Sequence, residues 1–254
     1  MALGRRKVRL DDRDAWVFNR MAASYGARPA YPVALIDALA ALAGAPGACV
    51  VDVGAGIGHV ALPLAARGYP VIAVEPAEAM LALLRDEAAA RDLPVRALHG
   101  AAEALPVATS CAALGVIADA LHFLDAERAG QELRRALAPG GALALVSCEL
   151  APTPFMTALT CLMEEAAPRR PRDVGGARVQ LAALAGVTLA APVEIDDEVP
   201  VEPPTLERIL QSISFIGPAM NPSRAAAFRA RVHALPGPPA WARRFRLWAG
   251  RRSR

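Results

Sequence analysis

Short apolar runs alternate along this chain with segments whose apolar residues recur every three to four positions, and that alternation predicts a succession of strands and helices. Cys49 to Val53 is an unbroken, mostly β-branched run, as a strand covered on both faces reads. Val71-Ile72-Ala73-Val74 closes on Glu75 in a second strand over 70–75, and further strands are expected over 94–98, 112–118 and 142–148. Helix 33–43 offers Val33, Leu35, Ile36, Leu39 and Leu42 as its packing face and ends at Gly44-Ala45-Pro46-Gly47. A helix within 59–67 carries Val60, Leu62 and Leu64, and Pro63 makes it start late, because proline is tolerated only near a helix N-terminus. Pro76-Ala77-Glu78 opens a helix through Arg91 with Met80, Leu81 and Leu84 inward, and another covers 126–138. Such βα repeats predict an α/β, doubly wound sheet with its ligand at the C-terminal edge of the strands.

The flanks read differently. Residues 1–14 form a basic tail, and Trp16 to Tyr25 is helix-like with Phe18, Met21 and Tyr25 on one face. Gly26 stops that helix. Through Arg28-Pro29 and Tyr31-Pro32 the chain is extended, since each proline disfavours helix in the residue before it. After the fifth strand, helix 154–166 is rich in Phe155, Met156, Leu159, Leu162 and Met163. An Arg/Pro-rich break at 168–172 precedes a second helical stretch to about 185. Residues 193–199 alternate as a sixth strand, Pro203-Pro204 opens helix 205–213, and helix 222–234 leads to a last strand from Arg244 to Ala249.

The first strand ends in Asp52-Val53-Gly54-Ala55-Gly56-Ile57-Gly58-His59, where glycines allow a tight turn whose backbone comes close to a ligand. A dinucleotide fingerprint needs its third glycine at position 59, where His59 stands. The actual spacing, preceded by Asp52 and followed by Glu75 at the next strand end, resembles motif I of the class I S-adenosylmethionine (SAM)-dependent methyltransferases. Tyr25…Arg28-Pro29-Ala30-Tyr31-Pro32, Leu121-His122-Phe123 and Pro139-Gly140-Gly141 are similar to segments of the small-molecule, trans-aconitate methyltransferase-like branch. The resemblance covers most of the chain and is strongest from 48 to 147. It implies a Rossmann-like seven-stranded sheet with helices on both faces, an antiparallel last strand and a helical cap over the active site. One domain, 15–254, would comprise lid helices (15–45), a SAM-binding core (48–150), a substrate cap (151–190) and a C-terminal part (191–254).

The same resemblance implies the cofactor contacts. Asp52, Gly54, Ala55 and Gly56 would receive the methionine end of SAM, Glu75 would grip the ribose, and Tyr25 and Arg28 would close over the pocket. Pro76, Met80, Ala102, Glu103 and Ala118 would complete the shell. Two departures stand out: the acid expected before the adenine turn is Ala101, leaving adenine to the backbone near Ala102 and to Glu103, and the strand-four start Phe-Asp is here Cys111-Ala112.

Composition adds limits. The chain has 254 residues, enough for one α/β domain with a small addition, and 54% of them are hydrophobic, ample for a core. Its four cysteines, 49, 111, 148 and 161, have no paired spacing and point to a reduced, cytoplasmic protein without a metal framework. No apolar run reaches the ~18 residues of a membrane span. Lys7 is the only lysine; arginine carries nearly all cations, which with the abundant Ala, Pro and Gly suggests a GC-rich bacterial genome. The clusters Arg5-Arg6-Lys7, Arg169-Arg170 and Arg243 to Arg254 read as solvated termini and loops rather than a nucleic-acid surface.

Methyl transfer is an in-line displacement, so positioning dominates, with a base where the nucleophile must lose a proton. His122, just past strand four, is the candidate base. The segment Ala118-Asp119-Ala120-Leu121 lacks the Asn/Asp-Pro-Pro-Tyr motif of nucleobase amine methyltransferases. The partner expected is a small-molecule methyl acceptor, such as a bacterial secondary metabolite, with no nucleic acid or membrane, the protein being a monomer or homodimer. A nucleic-acid methyltransferase and a SAM-binding protein doing non-methylating chemistry such as cyclisation are the alternatives.

Overall fold

The structure is a computed structural model that describes residues 17–167, 174–213, 216 and 222–253, with the side chains of 222–224 excepted. The basic tail, Trp16, the break at 168–172 with Arg169-Arg170, and Arg254 lie outside the described residues.

The uninterrupted run becomes β1 (Val50–Val53), all four residues buried. On one side it pairs in parallel with β2 (Val71–Glu75), which pairs with β3 (Val95–His99). On the other it pairs in parallel with β4 (Ala112–Ala118), which pairs with β5 (Leu137–Leu150). β7 (Ala240–Arg251) runs antiparallel to β5 and to β6 (Val193–Pro200), closing a seven-stranded sheet of order β3-β2-β1-β4-β5-β7-β6. The order reverses between β1 and β4, and a ligand-binding crevice opens at the strand ends beside such a switch point.

Helices cover both faces. α2 (Val33–Ala43), α3 (Ala61–Ala65) and α4 (Glu78–Ala90) share one core with the sheet, through Leu35, Ile36, Leu39, Leu64 and Leu84. Val33 falls outside it: as the first residue of its helix it stands 67% exposed, so the packing face begins at Leu35. α5 (Ala126–Ala136) and α7 (Val174–Leu184) build the second core, with Leu133, Leu137, Leu143, Leu145 and Leu181. α6 (Pro154–Ala166), α8 (Pro203–Gln211) and α9 (Pro222–His233) form a third cluster around Phe155, Met156, Leu159, Ile209 and Trp241. The two helical stretches of the expected cap thus part company: α6 joins the helices inserted between β6 and β7, whereas α7 lies on α5.

The arginines of 243–252 are not a solvated terminus. Along β7 they stand among apolar residues, and each finds a partner. Arg244 reaches Asp196 at 2.7 Å, Arg246 reaches both Glu194 at 2.7 Å and Glu149 at 2.8 Å, and Arg251 donates to the carbonyls of Gly140 and Leu42. The exposed pairs contribute little each, but they satisfy a sheet face that carries charge instead of apolar surface.

Candidate functional site

At the tip of β1 the three glycines adopt left-handed φ values of 73°, 55° and 95° at Gly54, Gly56 and Gly58. The turn is tied to β2: Gly54 and Ala55 donate their N–H groups to the Val74 carbonyl at 2.8 and 3.1 Å. Gly56 N–H donates to Glu75 Oε2 at 2.8 Å, and Glu75 Oε1 accepts from Ala77 N–H at 2.9 Å. A side chain on Gly54 would stand 2.8 Å from the Ala120 methyl, so the turn touches the segment after β4; at Gly56 the nearest neighbour is the Tyr25 ring, 4.0 Å away. Burial pushes the Glu75 pKa up, opposed by its two N–H bonds. Below it, Asp52 is buried and its Oδ2 has no hydrogen-bond partner among the described residues. Burial raises its pKa to about 7, against a bond from the Ala61 N–H and with Glu75's charge adding to the rise.

Asp52 therefore makes stability depend on pH. Because its folded pKa of about 7 lies above the ~3.9 of an unfolded chain, its contribution is full below about pH 4 and is lost as pH rises toward 7. Asp52→Asn is expected to flatten that slope and to gain up to roughly 4 kcal/mol over wild type at pH 8, with no gain at pH 4, in urea denaturation. Parallel pH profiles for the two proteins would refute the burial argument.

The crevice is roofed by α1 (Val17–Tyr25) and the extended segment after it. α1 lies on α4: Met21 and Ala22 are buried, Met80 and Ala77 lie beneath, and Asn19 accepts a bond from Ala79 N–H at 3.0 Å. Phe18 meets Phe123 edge-on at 5.1 Å. Tyr25 stacks on His59 with ring centres 6.1 Å apart, and His59 lies 5.4 Å from Tyr31, whose other side meets Phe245 at 5.1 Å. The Arg28 guanidinium covers the Tyr25 ring at 4.2 Å and donates to Ser212 Oγ and O, both at 2.8 Å, beyond the end of α8. Ser212 thus meets Arg28.

From below, the buried Arg243 pairs with Asp197 and donates to the carbonyls of Pro29 and Ala30 at 2.9 and 2.7 Å. It fixes the segment carrying Arg28 to β6 and β7. Arg243→Leu would strand Asp197 and two carbonyls in a poorly hydrated place, and should cost about 3–5 kcal/mol in chemical denaturation. A loss below 1 kcal/mol would show that the segment is held by its prolines and tyrosines alone.

Burial, aided by the charges of Arg28 and Arg243, lowers the His59 pKa to about 4, so the ring is neutral at neutral pH. Burial raises the pKa of Tyr25, Tyr31 and Cys148, and the Asp119 carboxylate raises all three further. His59, Tyr31, Asp119, Cys148 and Arg243 therefore share the crevice with Tyr25 and Arg28. The only early sign of His59 was that it stood where a dinucleotide turn has glycine.

The remaining candidates spread along the strand ends. Pro76 follows β2 and its carbonyl contacts His99 Nε2 at 3.0 Å. Ala102 is buried behind β3, and Glu103 accepts from Asp125 N–H at 2.7 Å, so it braces the start of α5. Ala118 ends β4. His122 sits in a 3₁₀ turn, Leu121–Phe123, against the Phe123 ring, and lines a cavity of about 30 Å³ under α7 with Asp119, Ser147, Arg178 and Trp248. The structure brings Asp52, Gly54, Gly56, Glu75, Tyr25 and Arg28 to one edge and sets His122 beside them, on the α7 side. Among the described residues no cluster of His, Cys, Asp and Glu is placed to hold a metal.

The sequence profile of the family described as methyltransferase domain matches residues 50–141, from β1 into β5. Over these residues the chain is similar to that family. An uncharacterized methyltransferase of Mycobacterium tuberculosis is 41% identical to the domain over 119 residues, 47% of this chain and 46% of the relative. Demethylmenaquinone methyltransferase of Thermus thermophilus is 40% identical over 108 residues, 41% of this chain and 48% of its own length. The chain spans about half the length of the curated relatives it matches. Among solved structures, the YcgJ protein of Bacillus subtilis covers 86% of this chain and 98% of its own at TM-score 0.58 and 17% identity. A protein from work on conversion of a disulfide bond into a thioacetal group in echinomycin biosynthesis covers 93% and 91% at TM-score 0.59 and 19% identity. Geranyl diphosphate methyltransferase in complex with SAM covers 86% and 84% at TM-score 0.54 and 16% identity. At these identities the likeness is one of fold: a Rossmann-like sheet with an antiparallel last strand.

Proposed function

We propose that the chain binds SAM at the Gly54–Gly58 turn and transfers its methyl group to a small-molecule acceptor. The observation that carries this reading is the Gly56–Glu75 pair: a carboxylate held on a backbone N–H at the sheet's switch point, with the open side of Gly56 facing Tyr25. The residues fit the cofactor. Glu75 would accept from ribose hydroxyls, the orphaned Asp52 Oδ2 would lie under the cationic methionine end, Tyr25 and Arg28 would roof it, and the turn after β3 with Ala102 and Glu103 would border the adenine. Bound there, SAM supplies an electrophilic methyl group on a sulfonium.

The chain's own part is to position and to deprotonate. The aromatic layer of Tyr25, His59 and Tyr31 lies over the strand ends, where it would shield the acceptor and the methyl group from competing solvent. His122 takes the proton from the acceptor's nucleophile. A small acceptor, rather than a nucleic acid, is favoured by the engagement of Arg243 to Arg252 within the sheet, which leaves β7 without a free basic stripe among the described residues. The free cysteines agree with a cytoplasmic setting. Mass spectrometry of the protein denatured directly after purification should release SAM or its demethylated product; a chain that neither retains nor takes up either one is no methyltransferase.

A further inference from the structure

The cavity under α7 has features of a binding site for one kind of chemical group. Arg178, one turn into α7, lays its guanidinium over the Trp248 ring at 3.7 Å, which fixes the plane of the fork. Among the described residues that guanidinium has no hydrogen-bond or ion-pair partner, although it lines the cavity. Ser147 Oγ, in the same wall, is buried and has no hydrogen-bond partner among the described residues. α7 also begins in that wall, at Val174, which brings its electropositive end to the same place. Asp119 lines the cavity too, but its charge acts on Tyr25, Tyr31 and Cys148; Cys148 points to the opposite sheet face from Ser147, its neighbour on β5.

We infer that this cavity holds a carboxylate of the methyl acceptor, clamped by Arg178 and Ser147. Its 30 Å³ suits a small group: one water needs about 10–15 Å³ of such space, so two or three oxygen-sized atoms fit. A planar fork with paired donors matches a two-oxygen acid, and the Ser147 hydroxyl donates to one of its oxygens. A neutral occupant would leave the guanidinium without a charge partner in a wall that is mostly apolar, with Leu121, Leu145, Val146 and Val174. The cavity lies at the C-terminal ends of β4 and β5, where doubly wound sheets bind ligands, and His122 shares its wall. The acceptor is thus a carboxylic acid whose acid end is anchored under α7 and whose nucleophile reaches His122 and the strand ends.

This deepens the methyl-transfer reading and rests on it for what the ligand is for, but the test does not require activity. Acetate is titrated into the protein at constant ionic strength, with chloride as the balancing anion, and the indole N–H resonance of Trp248 is followed by NMR. The expected result is a saturable shift with acetate and none with chloride. Arg178→Gln should raise the apparent Kd about tenfold or more, and Ser147→Ala about threefold, with SAM affinity unchanged in both. Equal responses to acetate and chloride, meaning an adventitious ion only, would overturn the proposal. So would an unchanged Kd in Arg178→Gln, or a cavity that keeps only ordered water in saturating acetate. A normal acetate response in a protein that takes up no SAM would support the carboxylate site while removing the cofactor reading.

Discussion

Gly56→Val is expected to abolish SAM binding in calorimetry while leaving the protein folded. Gly56 sits at φ 55°, a conformation that a β-branched residue enters only with strain of order 1–3 kcal/mol, and its open side faces Tyr25 across the place proposed for the ligand. Valine would therefore fill the approach and turn the Gly56 N–H away from Glu75. Glu75→Ala should be milder, weakening SAM by about 1–3 kcal/mol through loss of charge-assisted bonds to the ribose. Normal titrations by both variants would place the cofactor elsewhere.

The second large effect concerns His122. If it accepts the acceptor's proton, His122→Ala lowers turnover by roughly 10²–10⁴-fold with SAM affinity nearly intact, and the pH profile loses its lower limb. Its place in the wall under α7, beside Asp119 and against the Phe123 ring, puts it near the acceptor rather than in the Gly54–Gly58 turn. A higher KM with unchanged kcat would reduce it to a wall residue that binds ground and transition states alike. The comparison is made below the acceptor's own pKa, where a base is needed.

The sequence made the parallel half of the sheet legible. β4 and α6 fall where periodicity placed them, 112–118 and 154–166, because each is bounded by strong breakers and packed along its full length. The misses have physical reasons. α3 shrinks to Ala61–Ala65 because the glycine turn consumes the residues before it and Gly68 follows closely. β7 runs well past 244–249 and β5 past Cys148, since antiparallel pairing continues for as long as partners exist and takes no notice of local propensity, and β5 starts early, at Leu137, where it meets Ala112 of β4. Arg243 hid in an arginine-rich stretch that reads as a tail; only the register of β7, which sets it in line with Trp241, Phe245 and Leu247, shows it to be buried. At the site, the glycines and Glu75 were visible as a motif because they are neighbours along β1 and β2. The layer of Tyr25, His59 and Tyr31, and the meeting of Arg178 with Trp248, join residues far apart in the chain that no spacing could have paired.

The central claim is that SAM is held by the turn between β1 and α3, and a crystal structure with the demethylated product S-adenosylhomocysteine tests it most directly. The ribose hydroxyls are expected on Glu75, the methionine end over Gly54 and Gly56 above Asp52, and Tyr25 closing the pocket. Density for the ligand at any other place, or Gly54 to Gly58 and Glu75 making no contact with it at saturating concentration, would contradict the account.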